Sequence, residues 1–495
     1  MGFSILNMKK YHFYIIVIAV FLAAGCKKFL DKEPDNRTQI TSPDQVAQLL
    51  ASAYPHATYI LFCESMSDNA EDKNGGGAGI DYVDRINRQA YRYEVIEATP
   101  DDLDSPDFYW DSTYRAIAAA NLALEIINKT PNDPQLKPHR GEALMARAYA
   151  HFMLVTLFAK AYDPATAASD PGIPYVTAPE KVVRAKYERK TVAYVYDMIE
   201  KDLNEGYPLI NETIYGTAPK FHFNKQAAAA FATRFYMFKR DYNSVIKYAA
   251  QALSGTTASN LRPWNSVLQN MQYYDLQAEY TKSTLKGNLL LQEANSVWGR
   301  SYASLKYGLG TRVFTQLFNS VNATGWYYAY PLYGTPAVYN VPKFFEHFVK
   351  PNLSASFGEP YNTIPLLTAE EVVLNRAEAY VRINNRTAAI DDLNAFVSMN
   401  IDQYASSKDV TAKKMVDFYK MPSDTSGAII LTALDFKKAF FIHEGMRWFD
   451  ILRLKIPVIH TTTSGEVITL GPDDKRRALQ LPILSKQAGL EPNVR

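Results

Sequence analysis

The chain has 495 residues, 53 basic and 51 acidic side chains, 47% hydrophobic residues and only two cysteines, Cys26 and Cys63. So even a balance gives no electrostatic footprint for nucleic acid, where a basic face is expected, and two cysteines cannot form a disulfide framework. Residues 1–25 carry Lys9 and Lys10 and no acid, so a chain starting at Cys26 holds 51 charges of each sign.

The first element is a leader. Lys9 and Lys10 precede an apolar run from Phe13 to Ala24. As a helix that run would rise about 18 Å, short of the roughly 30 Å of a bilayer core, which is the length of a signal-peptide core. Leu22-Ala23-Ala24-Gly25-Cys26 resembles the lipobox of bacterial lipoproteins, with the cysteine where the apolar run ends. The expectation is a signal peptide over 1–25, lipidation at Cys26 and a polar tether over 26–40. Cys63 is then expected to be a buried small hydrophobe without chemistry.

Helical periods dominate the rest. Ser42-Pro43-Asp44-Gln45 reads as a helix start, with a cap, a first-position proline and a capping-box glutamine. Tyr109 to Lys129 is Ala-, Leu- and Ile-rich and ends before Pro131. Leu144, Ala148, Phe152 and Val155 share one helical face, as do Val192, Val195, Tyr196, Ile199 and Leu203, the last segment stopping at Gly206. Two helix pairs follow. Lys225 to Leu253 turns at Lys239-Arg240-Asp241; Thr368 to Val397 turns at Asn384-Asn385-Arg386 and opens with a capping box of Thr368 and Glu371. Each first helix carries a tyrosine (Tyr236, Tyr380). Each second helix has small or apolar residues at matched positions: Val245, Ala249, Ala252 and Leu253, and Ala388 and Ala395. The layout resembles tetratricopeptide repeats, here not contiguous.

Two stretches break the period. Residues 67–93 contain Asn74-Gly75-Gly76-Gly77. Residues 261–340 hold ten of the 34 tyrosines and three of the five tryptophans. No nucleophile elbow, zinc-binding helix or phosphate loop is present. Asp101, Asp102, Asp104 and Asp107 lack calcium-loop spacing and read as a solvated turn. No cofactor or metal is expected.

Near the C-terminus, Glu444-Gly445-Met446-Arg447-Trp448-Phe449-Asp450-Ile451-Leu452-Arg453 reads as a helix with Glu444, Arg447 and Trp448 on one face and Asp450 pairing Arg453. This motif is similar to the signature helix of the SusD/RagB family of Bacteroidetes surface lipoproteins. The family usually has Glu-Arg just upstream, where Phe436 and Lys437 stand here. Phe29-Leu30-Asp31, the Trp110-to-Asn121 helix, Thr368 to Tyr380, and Leu481-Pro482-Ile483 with Pro492-Asn493 resemble family segments in order. The resemblance implies a mostly helical domain over 41–495, with scaffold over about 41–255 and 341–495 and a variable aromatic-rich insertion over about 256–340.

It also implies a non-enzymatic, lipid-anchored outer-membrane protein facing outward. Such a protein binds an oligosaccharide or peptide and works with a SusC-type TonB-dependent transporter; nucleic acid is not a partner. A non-enzymatic surface scaffold is the alternative. In the family the ligand site draws on the two irregular stretches. Flat rings cover the C–H faces of sugars while polar groups satisfy the hydroxyls. The stacking candidates are therefore Trp264, Tyr273, Tyr274, Trp298, Trp326 and Tyr327, and the polar-rim candidates are Asn74, Asp81, Tyr82 and Arg85.

Overall fold

Capping residues punctuate the scaffold. Helix α1 (Pro43–Leu50) begins at its expected proline and is followed by α2 (Ile60–Met66) and α3 (Asp81–Tyr91). Ser105 caps α4 (Pro106–Ile127), its hydroxyl accepting from Phe108 N at 3.0 Å. Helix α5 (Lys137–Phe158) packs between α4 and α6 (Val192–Gly206). Gly206 does not stop α6 through a left-handed residue: it keeps helical angles and the chain tightens into a 3-10 turn over Tyr207–Leu209. The computed structural model describes residues 42–181, 185–350 and 352–495. The expected signal peptide, Cys26 and the tether lie outside them. Among the described residues no helix is long and apolar enough to cross a membrane.

The two helix pairs form with a shared grammar. Helices α7 (Lys225–Lys239) and α8 (Tyr242–Ala252) turn at left-handed Arg240, and Asp241 caps α8. Between them and the second pair lie α9 (Tyr273–Tyr280), α10 (Trp298–Ser301) and α11 (Thr311–Phe318). The second pair, α12 (Ala369–Arg382) and α13 (Arg386–Asn400), turns at left-handed Asn384 with Asn385 as the cap. Its buried face runs through Ala389, Leu393 and Phe396, one residue out of step with the expected Ala388 and Ala395, which are half-buried. The capping box is half formed. Thr368 Oγ1 accepts from Glu371 N at 3.3 Å, but the Glu371 carboxylate turns to Arg234 instead. Helices α14 (Ala412–Tyr419), α15 (Thr425–Phe440) and α16 (Met446–Leu454) complete the scaffold.

Helix α8 packs directly on α12, so the two pairs are spatial neighbours although residues 253–368 separate them. The separating segment carries strands β2 (Asn288–Asn295), β4 (Glu346–Val349) and β5 (Glu359–Thr368) in an antiparallel sheet of order β2-β5-β4. Strand β5 runs straight into α12. The segment between the two helix pairs thus runs on to Thr368, where α12 begins. Short strands β1 (Glu71–Asp72) and β3 (Tyr307–Gly308) pair, as do β6 (Val458–Thr461) and β7 (Val467–Leu470).

Helix α12 is the hub of the core. Its carboxylates are buried and each meets a cation from a different element. Arg262 Nη1 reaches Glu370 at 2.6 Å, Arg234 Nε reaches Glu371 at 2.7 Å, and Arg453 Nη2 reaches Glu378 at 2.6 Å. Cys63 is free and fully buried, as expected, and burial pushes its thiol up.

Candidate functional site

The two irregular stretches meet. Asp72 pairs with Tyr307 through β1 and β3. Lys73 N donates to Lys306 O (3.1 Å) and Gly77 N to Ser304 O (2.8 Å). Gly76 is at φ +90°, and a Cβ there would lie 2.6 Å from Ser304 O, so the glycine run is what lets this loop lie flat on 304–306. Lys73 Nζ bolts three loops, donating to Ala303 O (2.9 Å) and Ala337 O (2.7 Å). Burial lowers its pKa to about 8, against the pull of Glu71.

The loop receiving Lys73 carries Tyr333, whose backbone pairs with Asn340. The Tyr333 ring stands edge-on to Tyr273 at 5.1 Å, and Tyr273 to Tyr274 at 5.3 Å. Tyr274 is 72% exposed. A continuous series of contacts thus joins Asn74, exposed and left-handed, to the rings of Tyr273 and Tyr274. Asp81 is exposed at the start of α3, and Tyr82 is half-buried beside it. Burial, with Asp104 and Asp102 nearby, pushes the Tyr82 phenol up to about 12. Arg85 is engaged with its own loop, Nε donating to Glu97 O (3.0 Å) and Nη2 to Asp102 (3.3 Å).

Two expected stacking residues prove to be core. Trp264 is 0% exposed, packed edge-on to Tyr330 at 4.9 Å. Trp298 is 1% exposed, its indole N–H donating to His443 O at 3.0 Å. Neither has a face open to a ligand. Their large apolar area is buried because they sit where the insertion joins the scaffold. Trp326 and Tyr327 lie elsewhere, at the end of α13. Asp402 N donates to Tyr327 O, and Lys408 Nζ stands 4.0 Å from the centre of the half-buried Trp326 ring. No ring contact among the described residues links them to Tyr273.

The structure adds residues that periodicity did not single out. Tyr333 and Lys73 tie the face together. The β4–β5 hairpin exposes Phe348 and Phe357, with the Arg300 guanidinium 5.5 Å from the centre of the Phe348 ring and Arg300 Nε bonded to Glu346 at 3.0 Å. The clue lay in Phe344-Phe345 and Phe348-Val349, β-formers within a stretch read as scaffold. Elsewhere, a groove of about 460 Å³ beside Arg147, Asp202 and Asn121 has no aromatic lining. The acidic residues 101–107 diverge: Asp102 bonds Thr99 N (3.0 Å), while Asp104 is buried on Val297 N (2.9 Å). Among the described residues no cluster is arranged to hold a metal.

Residues 28–237 match the model of a SusD-like family described as starch-binding and associating with the outer membrane. A SusD superfamily protein from Bacteroides thetaiotaomicron shares the fold with TM-score 0.64 at 17% identity, over 92% of this chain and 100% of that one. The chain has the SusD fold, and its residues 28–237 are SusD-like in sequence. The protein named Putative sugar binding protein from Bacteroides vulgatus has TM-score 0.63 at 18% identity over 92% and 99% of the two chains. A SusD-like protein of Formosa agariphila is 24% identical over 261 residues, 50% of this chain and 45% of that protein, so the match spans about half of that relative. A laminarin-binding SusD-like protein has TM-score 0.58 at 15% identity, over 91% and 98%.

The SusD-type signature motif is structural here. The helix begins at Met446, so Glu444 precedes it and does not share a face with Arg447. Glu444 instead bonds Lys343 and the Tyr280 hydroxyl, both at 2.6 Å, while Arg447 grips Asp68 at 2.8 Å. Asp450 pairs Arg453 as expected (2.7 Å). Lys437, standing where the family usually has arginine, still reaches Asp450 at 2.7 Å, so the ion pair survives the departure. Gly445 is left-handed, and a Cβ there would lie 3.1 Å from Cys63 Cβ. Glu64 accepts from both His443 N and Gly445 N at 3.0 Å, and burial raises its pKa to about 7.

Proposed function

We propose that this chain is a non-enzymatic glycan-binding lipoprotein, anchored through Cys26 to the outer membrane, facing outward, and delivering ligand to a SusC-type TonB-dependent transporter. The reading rests on one observation above the rest: Tyr273, Tyr274 and Tyr333 present aromatic surface that Lys73 ties to the glycine-rich loop carrying Asn74. An exposed ring offers a sugar ring a large contact with little side-chain freedom to lose. Asn74, Asp81 and Tyr82 supply hydroxyl partners around it. Trp326 and Tyr327 form a separate patch and are tested as such. The matching family's association with starch and the outer membrane, and the laminarin binding of one structural neighbour, make α- and β-glucans the first ligands to try.

The test is titration calorimetry of the chain from residue 27 against a panel of both glucan types. Binding is expected to fall in Tyr274→Ala with unchanged melting. Equal affinity in the Tyr273, Tyr274, Trp326 and Tyr327 alanine variants would refute this site. Anchoring is tested by palmitate labelling of the full chain and Cys26→Ala. The partnership is tested by mild detergent extraction, with co-recovery of a large TonB-dependent barrel as the expected outcome.

A further inference from the structure

A second cavity, of about 500 Å³, lies on the scaffold between the loop after α5, the end of α16, the segment after β7 and residues 493–494. None of its lining comes from 67–93 or 261–340. Its volume is that of a small-ligand pocket, roughly 300–1,000 Å³.

The walls are fixed by their own bonds. The Arg477 guanidinium donates to the carbonyls of Gly471 (2.8 Å), Ile451 (2.9 Å) and Ile456 (2.6 Å). The Asn493 side chain donates to the carbonyls of Phe158 (2.8 Å) and Leu479 (2.7 Å). Inside, Pro171, Leu452, Pro472, Ala478 and Val494 offer apolar surface.

The charges at the rim discriminate between ligands. Every carboxylate on the lining already has a cation: Asp170 has Lys160 (3.0 Å), Asp473 has Lys455 (2.8 Å) and Asp474 has Arg476 (2.7 Å). Lys475 also lines the cavity, is exposed, and has no acidic partner among the described residues. An entering cation would find no free carboxylate. A neutral apolar molecule would gain burial alone. An anion with an apolar body gains both burial and a charge-assisted bond.

We propose that this cavity binds a monoanionic amphiphile, an aliphatic or aromatic body ending in a carboxylate or sulfonate. The body lies against Leu452, Pro171 and Ala478, and the head meets Lys475. The site is independent of the glycan face.

The test uses anilinonaphthalene sulfonate as the fluorescent probe on the chain from residue 27, with decanoate, decanol and decylamine as competitors. One saturable site is expected, with decanoate displacing the dye about tenfold better than decanol and decylamine worse than either. Lys475→Glu, on the surface, should weaken dye and decanoate about tenfold at unchanged melting temperature. Ala478→Trp, which fills the cavity, should abolish the site. Equal competition by the three ten-carbon compounds, full affinity in Lys475→Glu, or a surviving site in a folded Ala478→Trp would each overturn the proposal.

Discussion

Removing one partner of the Arg234–Glu371 pair tests how helix α12 holds the scaffold. Arg234 is 2% exposed and Glu371 5%. The guanidinium donates to both Glu371 oxygens, at 2.7 and 2.5 Å, and to Leu366 O at 2.7 Å. In Arg234→Met the carboxylate keeps only a 3.4 Å contact from Asn375. An uncompensated buried charge of this kind costs about 3–5 kcal/mol. Glu371→Gln strands the guanidinium and should cost a similar amount. The double variant removes both charges and should lose far less than the sum, leaving a coupling of at least about 3 kcal/mol, because neither charge is then stranded. With about 2.1 cal/mol/K of unfolding entropy per residue over roughly 450 folded residues, each kcal/mol moves melting by ~1 °C. Melts alone would be blunt, so urea unfolding followed by far-UV circular dichroism is the assay. Single variants each costing under about 1 kcal/mol, with an additive double, would refute the reasoning.

Burial raises the Asp104 carboxyl from its ordinary 3.8 to about 7, so between those two values the folded state holds a proton that the unfolded chain releases. Its contribution is full below pH 3.8 and is lost as pH rises through 7. The full shift is worth about 4 kcal/mol, and an unpaired amide would return about 2 of it. Asp104→Asn should therefore be roughly 2 kcal/mol more stable at pH 8 and show a flatter stability profile between pH 4 and 7 in urea titrations. Trp264→Ala and Trp298→Ala should lose about 3–5 kcal/mol of stability, whereas Tyr274→Ala should lose about 2 kcal/mol of glycan affinity, near thirtyfold, without a change in melting; calorimetry beside thermal melts separates the two. Lys73→Met should speed hydrogen exchange at the amides of Lys73 and Gly77, which bond Lys306 and Ser304, while amides inside α5 keep their protection.

What could be read from sequence was what is local. Pro43 and Thr368 announced their helices because a helix start needs only its own next turn, whereas Ser105, the cap of α4, was not singled out. The turns at Arg240 and Asn384 were legible for the same reason. The partners of Glu370, Glu371 and Glu378 were not, since Arg234 and Arg262 lie more than a hundred residues away and nothing in a helical period points to them. The β4–β5 hairpin was missed because β5 alternates only over Glu359–Thr363 and is buried continuously from Ile364 to Thr368, too short an alternation to mark a strand. The candidate face was half legible. Helix α9 buries Leu276, Gln277 and Tyr280, so Tyr274 falls on the outer side, and that spacing was present in the sequence. Trp264 and Trp298 carry no such local sign. Each follows a short apolar or proline step in an irregular segment, and only the packing of Tyr330 and His443 against them decides that they are core.

The same geometry explains how an aromatic-rich insertion can sit on this scaffold without unsettling it. Both ends of the 253–368 segment return to helix α12. Arg262, near its start, pairs with Glu370, and β5, at its end, continues into Thr368, the cap of α12. The scaffold helices meet that same α12 through Arg234 and Arg453. The exposed loops around 333–340 are held by backbone pairing and by Lys73, not by the ion pairs of the hub. Helix α9, which carries Tyr273 and Tyr274, meets the scaffold through Tyr280, whose hydroxyl donates to Glu444 at 2.6 Å. On the proposed reading, the rings of Tyr273 and Tyr274 can vary without touching the signature helix, whose Arg447, Asp450 and Arg453 are committed to buried ion pairs.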